Sequence, residues 1–296
     1  MVVAIPAYNA EPFIQAAVTS ALEQHPEIRV LVADNASSDN TVGRIEELNS
    51  DRVRVHRQAT NIGPHANGNW LLDNCDGDVV ALLCADDVML PGHLGNQLEI
   101  LVADSAVRLV GCNMIETSQD LVPRRPLRTA LGRWRGPDLS NLSVNTLRNL
   151  FGGPSNFVFR RRDLGSVRID SRWSWLSDLD FASRLVGEGW FMNPGHFGYL
   201  YRRHPTSDSA RLNAADSFLQ DREWTEYFLE NGGSAPRAIR ALRGRVQDDL
   251  LLDRLSKEWN QFSRLRRSTC GPATLDRAIA RVATRGIAGK APELLT

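Results

Sequence analysis

The chain has 296 residues, of which 42% are hydrophobic and 24% are charged, and this composition excludes a disordered or a fibrous protein. Its longest apolar run covers only residues 79–85, whereas a membrane-spanning helix needs about 20 apolar residues. The formal net charge is zero, but residues 1–100 hold five arginines against 14 acidic residues, so the first third is acidic and the remainder is basic.

Strand and helix patterns alternate five times within the first 113 residues. The predicted strands cover 2–6, 29–33, 53–56, 79–83 and 108–112, and the predicted helices lie around 12–22, 42–48, 68–74 and 94–102. Pro12 opens the first helix, and Ile14, Val18 and Leu22 recur on one face of it. This alternation predicts an α/β fold with a mostly parallel, doubly wound sheet flanked by helices, in which ligands bind beyond the carboxyl ends of the strands.

The pattern loosens beyond residue 113. Residues 118–140 are polar and contain several prolines and glycines, which predicts one long loop of a functional or mobile kind. The elements predicted after this loop are a strand at 157–159, a helix at 176–186, a short strand at 199–201 and mostly helix from residue 214 onward. The expected organisation is a principal domain at 1–210, with halves at 1–113 and 114–210, and a C-terminal helical region at 211–296.

Several well-known motifs are absent from the sequence. It has neither a GxGxxG turn after a strand nor a GxxxxGK[ST] loop, which disfavours a nicotinamide-dependent Rossmann enzyme and a P-loop nucleotidase. It also lacks the GxSxG elbow of α/β-hydrolases. Any bound phosphate groups must therefore be held in another way, for which a metal ion is the obvious candidate.

Polar residues follow three of the predicted strands and should converge at one edge of the sheet. Asp86 and Asp87 follow the fourth strand, where carboxylates suit Mg²⁺ or Mn²⁺, although an aspartate pair can also cap the next helix. Asp34 follows the second strand and can accept a hydrogen bond from a base N–H or form an Asx-turn. Tyr8 follows the first strand and can stack on a heterocycle or pack in the core.

Four blocks occur in order over residues 1–100: VVAIPAYNAEPFIQAAVTSAL, VADNASSDNT, NIGPHANGNWLL and GDVVALLCADDVMLPGHL. Weaker blocks follow, namely GGPSNFVFRR at 152–161, WLSDLDFASRL at 175–185 and YRRHPTSDS at 201–209. With these blocks the chain resembles the family-2 glycosyltransferases of the GT-A fold over about two-thirds of its length.

The resemblance implies an inverting transferase that moves a sugar from a nucleotide diphosphate donor to an acceptor hydroxyl. It implies that the diphosphate is bound through a divalent metal, Mn²⁺ or Mg²⁺. The residues that it assigns to the nucleotide-sugar are Pro6, Ala7, Tyr8, Glu11, Asp34, Asn67, Ala85, Asp86 and Asp87. Those that it assigns to the metal are Asp86 and His204, and the one that it assigns to the acceptor is Gly153. Trp173 and Trp175, which precede the helix predicted at 176–186, can stack on an acceptor sugar, with Trp175 the predicted acceptor residue, although burial in the core is an equal alternative.

The resemblance also implies the catalytic base. The family places an acidic pair at the start of the helix predicted at 176–186, and this pair is Ser177-Asp178 here, so Asp178 is the aligned base. Asp180 lies roughly 200° further around the helix, so the two carboxylates cannot both face one atom. The plainer interpretation of Asp178 is an exposed acid that favours the helix dipole.

Two positions depart from the family pattern. Cys84 replaces the usual first Asp of the DxD element, which leaves fewer carboxylates for an ion. Gly68, between Asn67 and Asn69, replaces a frequent Arg, and a side branch of the family shares this asparagine pattern. The position of His204 holds a histidine near the diphosphate or metal in some members, but a surface histidine is an equal alternative.

The expected partners follow from the same resemblance. UDP- or dTDP-sugars are favoured as donors, a glycan, a lipid-linked molecule or a small molecule serves as acceptor, and no nucleic acid is involved. The basic remainder of the chain leaves peripheral membrane contact open, and a homo-oligomer is also left open. The N-terminal sequence shows no secretory signal and no cysteine pair has CxxC spacing, so we expect a reduced, cytoplasmic protein, with contact at the cytoplasmic membrane face as an option.

Two alternatives stand beside the transferase. A nucleotide-sugar-binding protein with weak catalysis is favoured by Cys84. A sugar-nucleotide pyrophosphorylase is less favoured, because it needs a glycine-rich, basic loop after the first strand, which residues 7–11 do not supply.

Overall fold

The computed structural model of the protein describes residues 1–174, 176–207 and 214–234. These residues belong to one compact unit that spans Met1–Arg240. The predicted acceptor residue Trp175 and most of the predicted C-terminal helical region, residues 235–296, lie outside the described residues. The domain division at residue 210 stays a prediction.

The described residues alternate between strands and helices. The strands are β1 (Val2–Ala7), β2 (Arg29–Asp34), β3 (Val53–Arg57), β4 (Val79–Leu82), β5 (Val88–Met89), β6 (Val107–Val110), β7 (Asn113–Thr117), β8 (Pro123–Leu127), β9 (Gly132–Arg135), β10 (Val158–Arg160), β11 (Trp190–Asn193) and β12 (Phe197–Arg202). The helices are α1 (Ile14–Leu22), α2 (Thr41–Glu46), α3 (Pro64–Asn74), α4 (His93–Ala103), α5 (Gly136–Thr146), α6 (Arg161–Leu164), α7 (Ser177–Val186) and α8 (Ala214–Glu230), with a 3-10 turn at Pro154–Asn156.

Two sheets organise these elements. The main sheet has the strand order β3-β2-β1-β4-β10-β6-β11-β9, and its first four strands are parallel. Strand β10 is antiparallel to both of its neighbours. A smaller sheet has the order β5-β12-β7-β8. The α/β architecture with a large central sheet flanked by helices confirms the predicted fold class, and the smaller sheet adds to it.

Each face of the main sheet packs against a different set of helices, because side chains alternate between the two faces of a strand. Val3 and Ile5 of β1 are buried with the apolar residues of α1 and α4. Val2 and Ala4 of the same strand are buried with those of α3, α5 and α7. The apolar character of β1 along its whole length is therefore explained by burial on both faces.

The prediction of one long loop at 118–140 is wrong. The segment contains β8 and β9 and the beginning of α5. Strands β8 and β9 lie at the edges of their sheets, and four of the five residues of β8 are exposed. Edge strands lack the buried alternating pattern that reveals a strand in sequence, and they tolerate proline, as at Pro123 and Pro126.

The topology brings distant chain segments to the carboxyl edge of the parallel strands. Ala7 and Asp34 are register partners at the ends of β1 and β2, and the Asn35 N–H donates to the Ala7 carbonyl at 2.8 Å. In the smaller sheet, Leu200 of β12 pairs with Val88 of β5, immediately after the Asp86-Asp87 pair. The end of β12 therefore returns beside the end of β4. Among the described residues, no helix has the length and apolar character that a bilayer crossing requires.

Candidate active site

An acidic element lies directly beyond β4. The ligand atoms of Cys84, Asp86 and Asp87 lie within 4.8 Å of one another. The Asp86 carboxylate is partly exposed, and its Oδ2 lies 2.9 Å from Nε2 of His204. The structure thus brings together the two predicted metal ligands, which are 118 residues apart in sequence.

The ring of His204 is held from three sides. Its Nδ1 lies 2.9 Å from the Thr206 hydroxyl, opposite the contact of Nε2 with Asp86. The ring centroid of Phe13 lies 4.5 Å from that of His204. Only 7% of the His204 side chain is exposed, so the alternative of a surface histidine is excluded by its burial.

Asp87 is held by the protein itself. It is buried, its Oδ2 accepts a hydrogen bond from the Ser155 hydroxyl at 2.6 Å, and its Oδ1 accepts one from the Arg202 backbone N–H at 3.0 Å. Burial, followed by the charge of Asp86, raises the pKa of Asp87 well above its ordinary value. Both oxygens of Asp87 are engaged, so Asp86 is the freer carboxylate of the pair.

A second buried carboxylate lies at the end of β2. Asp34 is fully buried, and its Oδ2 accepts a hydrogen bond from the Ser37 N–H at 3.2 Å and lies 3.4 Å from Nε of Arg57. Its Oδ1 is buried without a hydrogen-bond partner among the described residues. A buried acceptor left without a donor is costly, so Asp34 has a free oxygen suited to a ligand N–H group.

The loop after β1 is hydrogen-bonded to the loop after β2 and exposes one aromatic ring. Tyr8 follows Ala7 and is 49% exposed, although it follows a buried strand, so the alternative of a core tyrosine is excluded. Pro6 is half-buried, and Ala7 is buried. The Glu11 carboxylate accepts a hydrogen bond from the Asn40 N–H at 3.2 Å, which ties this loop to the loop after β2.

Asn67 lies on α3, beside the end of β2. It is buried, its Nδ2 donates to the Ala33 carbonyl at 2.8 Å, and its Oδ1 accepts from Nε2 of Gln58 at 3.2 Å. Both ends of the amide are thus used inside the protein, next to Asp34. Direct contact between Asn67 and a nucleotide-sugar stays a prediction. In the structure, the Asn67 amide stabilises the end of β2 through its hydrogen bond to Ala33.

Asp178 lies at the beginning of α7 beside a glycine turn. It is half-buried, and burial raises its pKa to about 6. A Cβ atom placed on Gly153 would lie 3.8 Å from Oδ2 of Asp178, so the predicted acceptor glycine and the predicted base are neighbours. Asp180 is buried and forms an ion pair with Arg184 of the same helix. Of the two acids, Asp178 is therefore the one available to a substrate.

The neighbouring tryptophan Trp173 is buried and packs near Tyr227 of α8, with ring centroids 5.8 Å apart. It belongs to the hydrophobic core rather than to an open platform. Trp175 lies outside the described residues, so its predicted contact with the acceptor stays a prediction.

Comparison with known proteins shows the family to which the chain belongs. A family model described as Glycosyl transferase family 2 matches residues 2–168. The chain belongs to this family. The protein is therefore a glycosyltransferase, and the pyrophosphorylase alternative is not supported.

Relatives and solved structures extend the match. The UDP-Glc:alpha-D-GlcNAc-diphosphoundecaprenol beta-1,3-glucosyltransferase WfgD of Escherichia coli is 28% identical over 40% of this chain and 47% of its own length. TarS of S. aureus, in complex with UDP-GlcNAc, has a TM-score of 0.61 at 17% identity and covers 80% of this chain and 68% of that one. The mannosyltransferase PcManGT from Pyrobaculum calidifontis, in complex with GDP-Man and Mn²⁺, has a TM-score of 0.57 at 17% identity and covers 97% of this chain and 80% of that one. The chain thus spans about half the length of WfgD. The TarS and PcManGT structures share the fold of this chain.

The residues present in this glycosyltransferase fit a divalent ion. The Asp86 carboxylate is a hard oxygen ligand of the kind that suits Mg²⁺ or Mn²⁺, and the His204 imidazole lies beside it. Cys84 adds a thiol to the cluster, but burial, followed by the charges of Asp87 and Asp86, raises its pKa well above the ordinary value. Asp86 and His204 are therefore the residues best placed to hold the ion.

Sequence reasoning missed two residues of this candidate site. Ser155 hydrogen-bonds to Asp87 across 68 residues of sequence, and Arg57 reaches Asp34 from the end of β3. A serine or an arginine carries no chemical signature by itself, so only the spatial arrangement reveals these contacts. For Arg57 a signal existed, because it follows the third parallel strand at the same edge of the sheet.

Proposed function

We propose that this glycosyltransferase moves a sugar from a UDP- or dTDP-sugar to an acceptor hydroxyl in a single, metal-assisted displacement that inverts the anomeric carbon. The observation that carries the proposal is the half-buried carboxylate of Asp178, whose pKa is raised to about 6 and which lies against the Gly153 turn. A carboxylate with a pKa near neutrality is suited to general-base catalysis.

The nucleoside end of the donor is assigned to Asp34. Its Oδ1 is a buried acceptor without a partner among the described residues, and the imide N–H of uracil or thymine is a matching donor. Tyr8 is exposed beside the ends of β1 and β2, where its ring can stack on the base. Arg57 lies on the other oxygen of Asp34, with its Nε 3.4 Å from Oδ2, and leaves Oδ1 free for the base.

The diphosphate end is assigned to Asp86 and His204. A divalent ion bound there would stabilise the negative charge that develops on the leaving diphosphate. Asp86 and His204 would hold that ion, while Arg202, through Nε to the Asp86 carbonyl at 2.7 Å, maintains the backbone of the acidic element. Asp87, whose two oxygens accept hydrogen bonds from Ser155 and Arg202, has a structural role in this proposal.

The reaction needs one proton transfer, from the acceptor hydroxyl to the protein. Asp178 accepts the proton of the acceptor hydroxyl, whose oxygen forms a bond to the anomeric carbon. The bond between that carbon and the diphosphate oxygen breaks at the same time, and the nucleoside diphosphate leaves with the electron pair. Attack opposite the leaving group inverts the anomeric centre, by the stereochemical logic that applies to glycoside hydrolysis.

A lipid-linked acceptor is proposed over a free glycan or a small molecule. The support is the name of WfgD, which describes a diphosphoundecaprenol-linked acceptor. An enzyme with such an acceptor would work at the cytoplasmic face of a membrane, in peripheral contact with it. Uridine or thymidine donors are proposed because TarS is complexed with UDP-GlcNAc and because Asp34 offers an acceptor to an imide N–H.

Calorimetric titration of UDP and dTDP, with Mn²⁺ and with EDTA, tests the metal-dependent donor site. The wild-type affinity is expected to fall at least about tenfold in EDTA, and Asp86→Asn should bind weakly with or without metal and lose transfer activity. Asp76→Asn is the matched control, because this exposed aspartate precedes β4 and pairs only with an exposed arginine in the structure described. Undiminished affinity in EDTA would contradict the metal site. If the protein bound nucleotide but neither transferred the sugar nor slowly hydrolysed the donor, the binding-protein alternative would be favoured instead.

A further inference from the structure

Ser155 links two parts of the site that are distant in sequence. It lies in the 3-10 turn Pro154–Asn156 and is buried. Its hydroxyl accepts a hydrogen bond from the Cys84 N–H at 2.9 Å and donates one to Oδ2 of Asp87 at 2.6 Å. One hydroxyl group therefore holds both ends of the Cys84–Asp87 element, the proposed diphosphate end of the site.

The turn that carries Ser155 also borders the base. Gly153 immediately precedes the turn, at 3.8 Å from Oδ2 of Asp178 when measured from an added Cβ. Asn156 stiffens the turn, because its Oδ1 accepts from the Cys112 N–H and its Nδ2 donates to the Phe151 carbonyl. A displacement of this turn relative to the acidic element, which Ser155 holds, would therefore change the separation between Asp178 and that element.

Asp87 completes the link on its other side. Its Oδ1 accepts from the Arg202 backbone N–H, and the Arg202 side chain returns to the Asp86 carbonyl. The Arg202 guanidinium also lies 4.8 Å from the ring centroid of Phe13, the same ring that packs against His204. The hydrogen bonds of Asp87 thus connect Ser155 to the strand end that carries His204.

We infer that Ser155 is a positioning residue, whose hydroxyl sets the distance between the acidic element that holds the donor diphosphate and the Asp178 base. The inference rests on the proposed function and extends it to the relative placement of donor and acceptor. In-line displacement depends on this placement, and an error of about 1 Å in a reacting geometry can cost roughly 10²-fold in rate. Asp34, which would hold the nucleoside, is tied to different loops and does not depend on Ser155.

The variants Ser155→Thr and Ser155→Val separate the hydroxyl from its packing, because the two side chains have nearly the same size and only threonine retains the hydroxyl. Ser155→Ala serves as a second hydroxyl-free variant that cannot overpack. The readouts are kcat and the donor KM for transfer, the Kd of UDP with Mn²⁺, and the melting temperature. A wild-type assay with UDP- and dTDP-sugars accompanies them, so that failure of the proposed function itself would appear as no turnover by the wild type.

The expected result is a split between kcat and KM. Ser155→Val and Ser155→Ala should lower kcat by about 10²-fold with the donor KM within about threefold of wild type, and Ser155→Thr should retain most of the rate. The acid limb of the pH–rate profile should stay near pH 6 in all folded variants, because Asp178 itself is unchanged. Near-wild-type kcat in Ser155→Ala with an active wild type would overturn the inference. Equal losses in the threonine and alanine variants would overturn it as well, because the hydroxyl would then not be the cause.

Discussion

Asp178 and Asp180 lie two residues apart on α7 and have opposite environments. Asp178 is half-buried and has a raised pKa, and the Ser177 hydroxyl, at 3.3 Å, is its side-chain donor among the residues that the structure describes. Asp180 is buried and is paired with Arg184 one helical turn away. Burial of Asp178 costs folding free energy when its carboxylate ionises, whereas Asp180 is held in an ion pair within its own helix. Of these two aspartates, Asp178 is thus suited to act as the base, whereas Asp180 stabilises the helix.

Replacement of the base should separate activity from stability. Asp178→Asn is expected to lower kcat by at least about 10²-fold, while the wild-type kcat/KM should rise with pH through about 6 as Asp178 loses its proton. The folded pKa lies above the ordinary 3.8, so the folded state holds the proton more tightly and the protein loses stability as pH rises from about 4 to 6. The variant lacks this loss and should be more stable than wild type at pH 7, by on the order of 1–3 kcal/mol.

Urea unfolding at pH 4 and pH 7 measures this difference. Asp180→Asn is the matched control, because it removes the same charge from the same helix but breaks the ion pair with Arg184. It should lower the free energy of unfolding and leave the rate of the folded fraction largely intact. If the folded Asp180→Asn protein is the slower enzyme, the assignment of the base to Asp178 is wrong.

At the scale of elements, α8 is packed into the main core although it follows the predicted boundary at residue 210. Trp224 is buried within the cluster that also holds Trp173 and the apolar face of α7. Its ring stacks on Phe228 with centroids 5.3 Å apart. A helix with this much buried aromatic surface is expected to unfold together with the sheet rather than on its own.

Truncation of Trp224 tests that expectation. Trp224→Ala should lower the free energy of unfolding by about 3–5 kcal/mol, because it leaves a cavity in the shared core. Glu223→Ala, at the exposed neighbouring position, should change it by less than about 0.5 kcal/mol. Circular dichroism and tryptophan fluorescence should report one common transition in wild type. If the wild type instead showed a separate, earlier transition, and Trp224→Ala but not Glu223→Ala removed it, the boundary at 210 would be supported.

At the scale of the whole molecule, part of the basic charge beyond residue 100 lies on an exposed edge strand. Strand β8 and the residue after it present Arg124, Arg125 and Arg128, of which Arg125 is paired with Glu116. Val122, next to this strand, is 60% exposed. Because basic side chains are attracted to anionic lipid, these arginines are the exposed residues to test for contact with a membrane that carries the proposed lipid-linked acceptor.

Vesicle sedimentation tests membrane contact directly. The protein is expected to sediment with vesicles that contain phosphatidylglycerol at low salt and to be released at high salt, because the attraction is electrostatic. Arg124→Glu combined with Arg128→Glu should weaken sedimentation. Arg161→Glu combined with Arg162→Glu, a charge reversal of equal size at exposed positions after β10, should not. An absence of sedimentation at low salt would leave the arginines as a solvated surface.

The sequence by itself determined the α/β class, the first four parallel strands and the main acidic positions. The signal was local in each case: apolar runs mark strands buried on both faces, and polar clusters after them mark the ligand-binding edge. Asp34 and Asp86 lie where these patterns place them, whereas Asp178, at the start of α7, was assigned from the family resemblance. The edge strands β8 and β9 were not predictable, because a half-exposed edge does not impose a hydrophobic pattern.

Only the tertiary structure decided how these positions are connected. Ser155 meets Cys84 across 71 residues, and His204 meets Asp86 across 118, because antiparallel β10 enters the parallel sheet beside β4 and β12 pairs with the short strand after the acidic element. Neither contact has a local signature, since hydrogen bonds between distant residues depend on strand order rather than on composition. The same topology engages both oxygens of Asp87 within the protein and leaves one oxygen of Asp34 without a protein donor, so chemically identical side chains acquire different tasks from their neighbours in space.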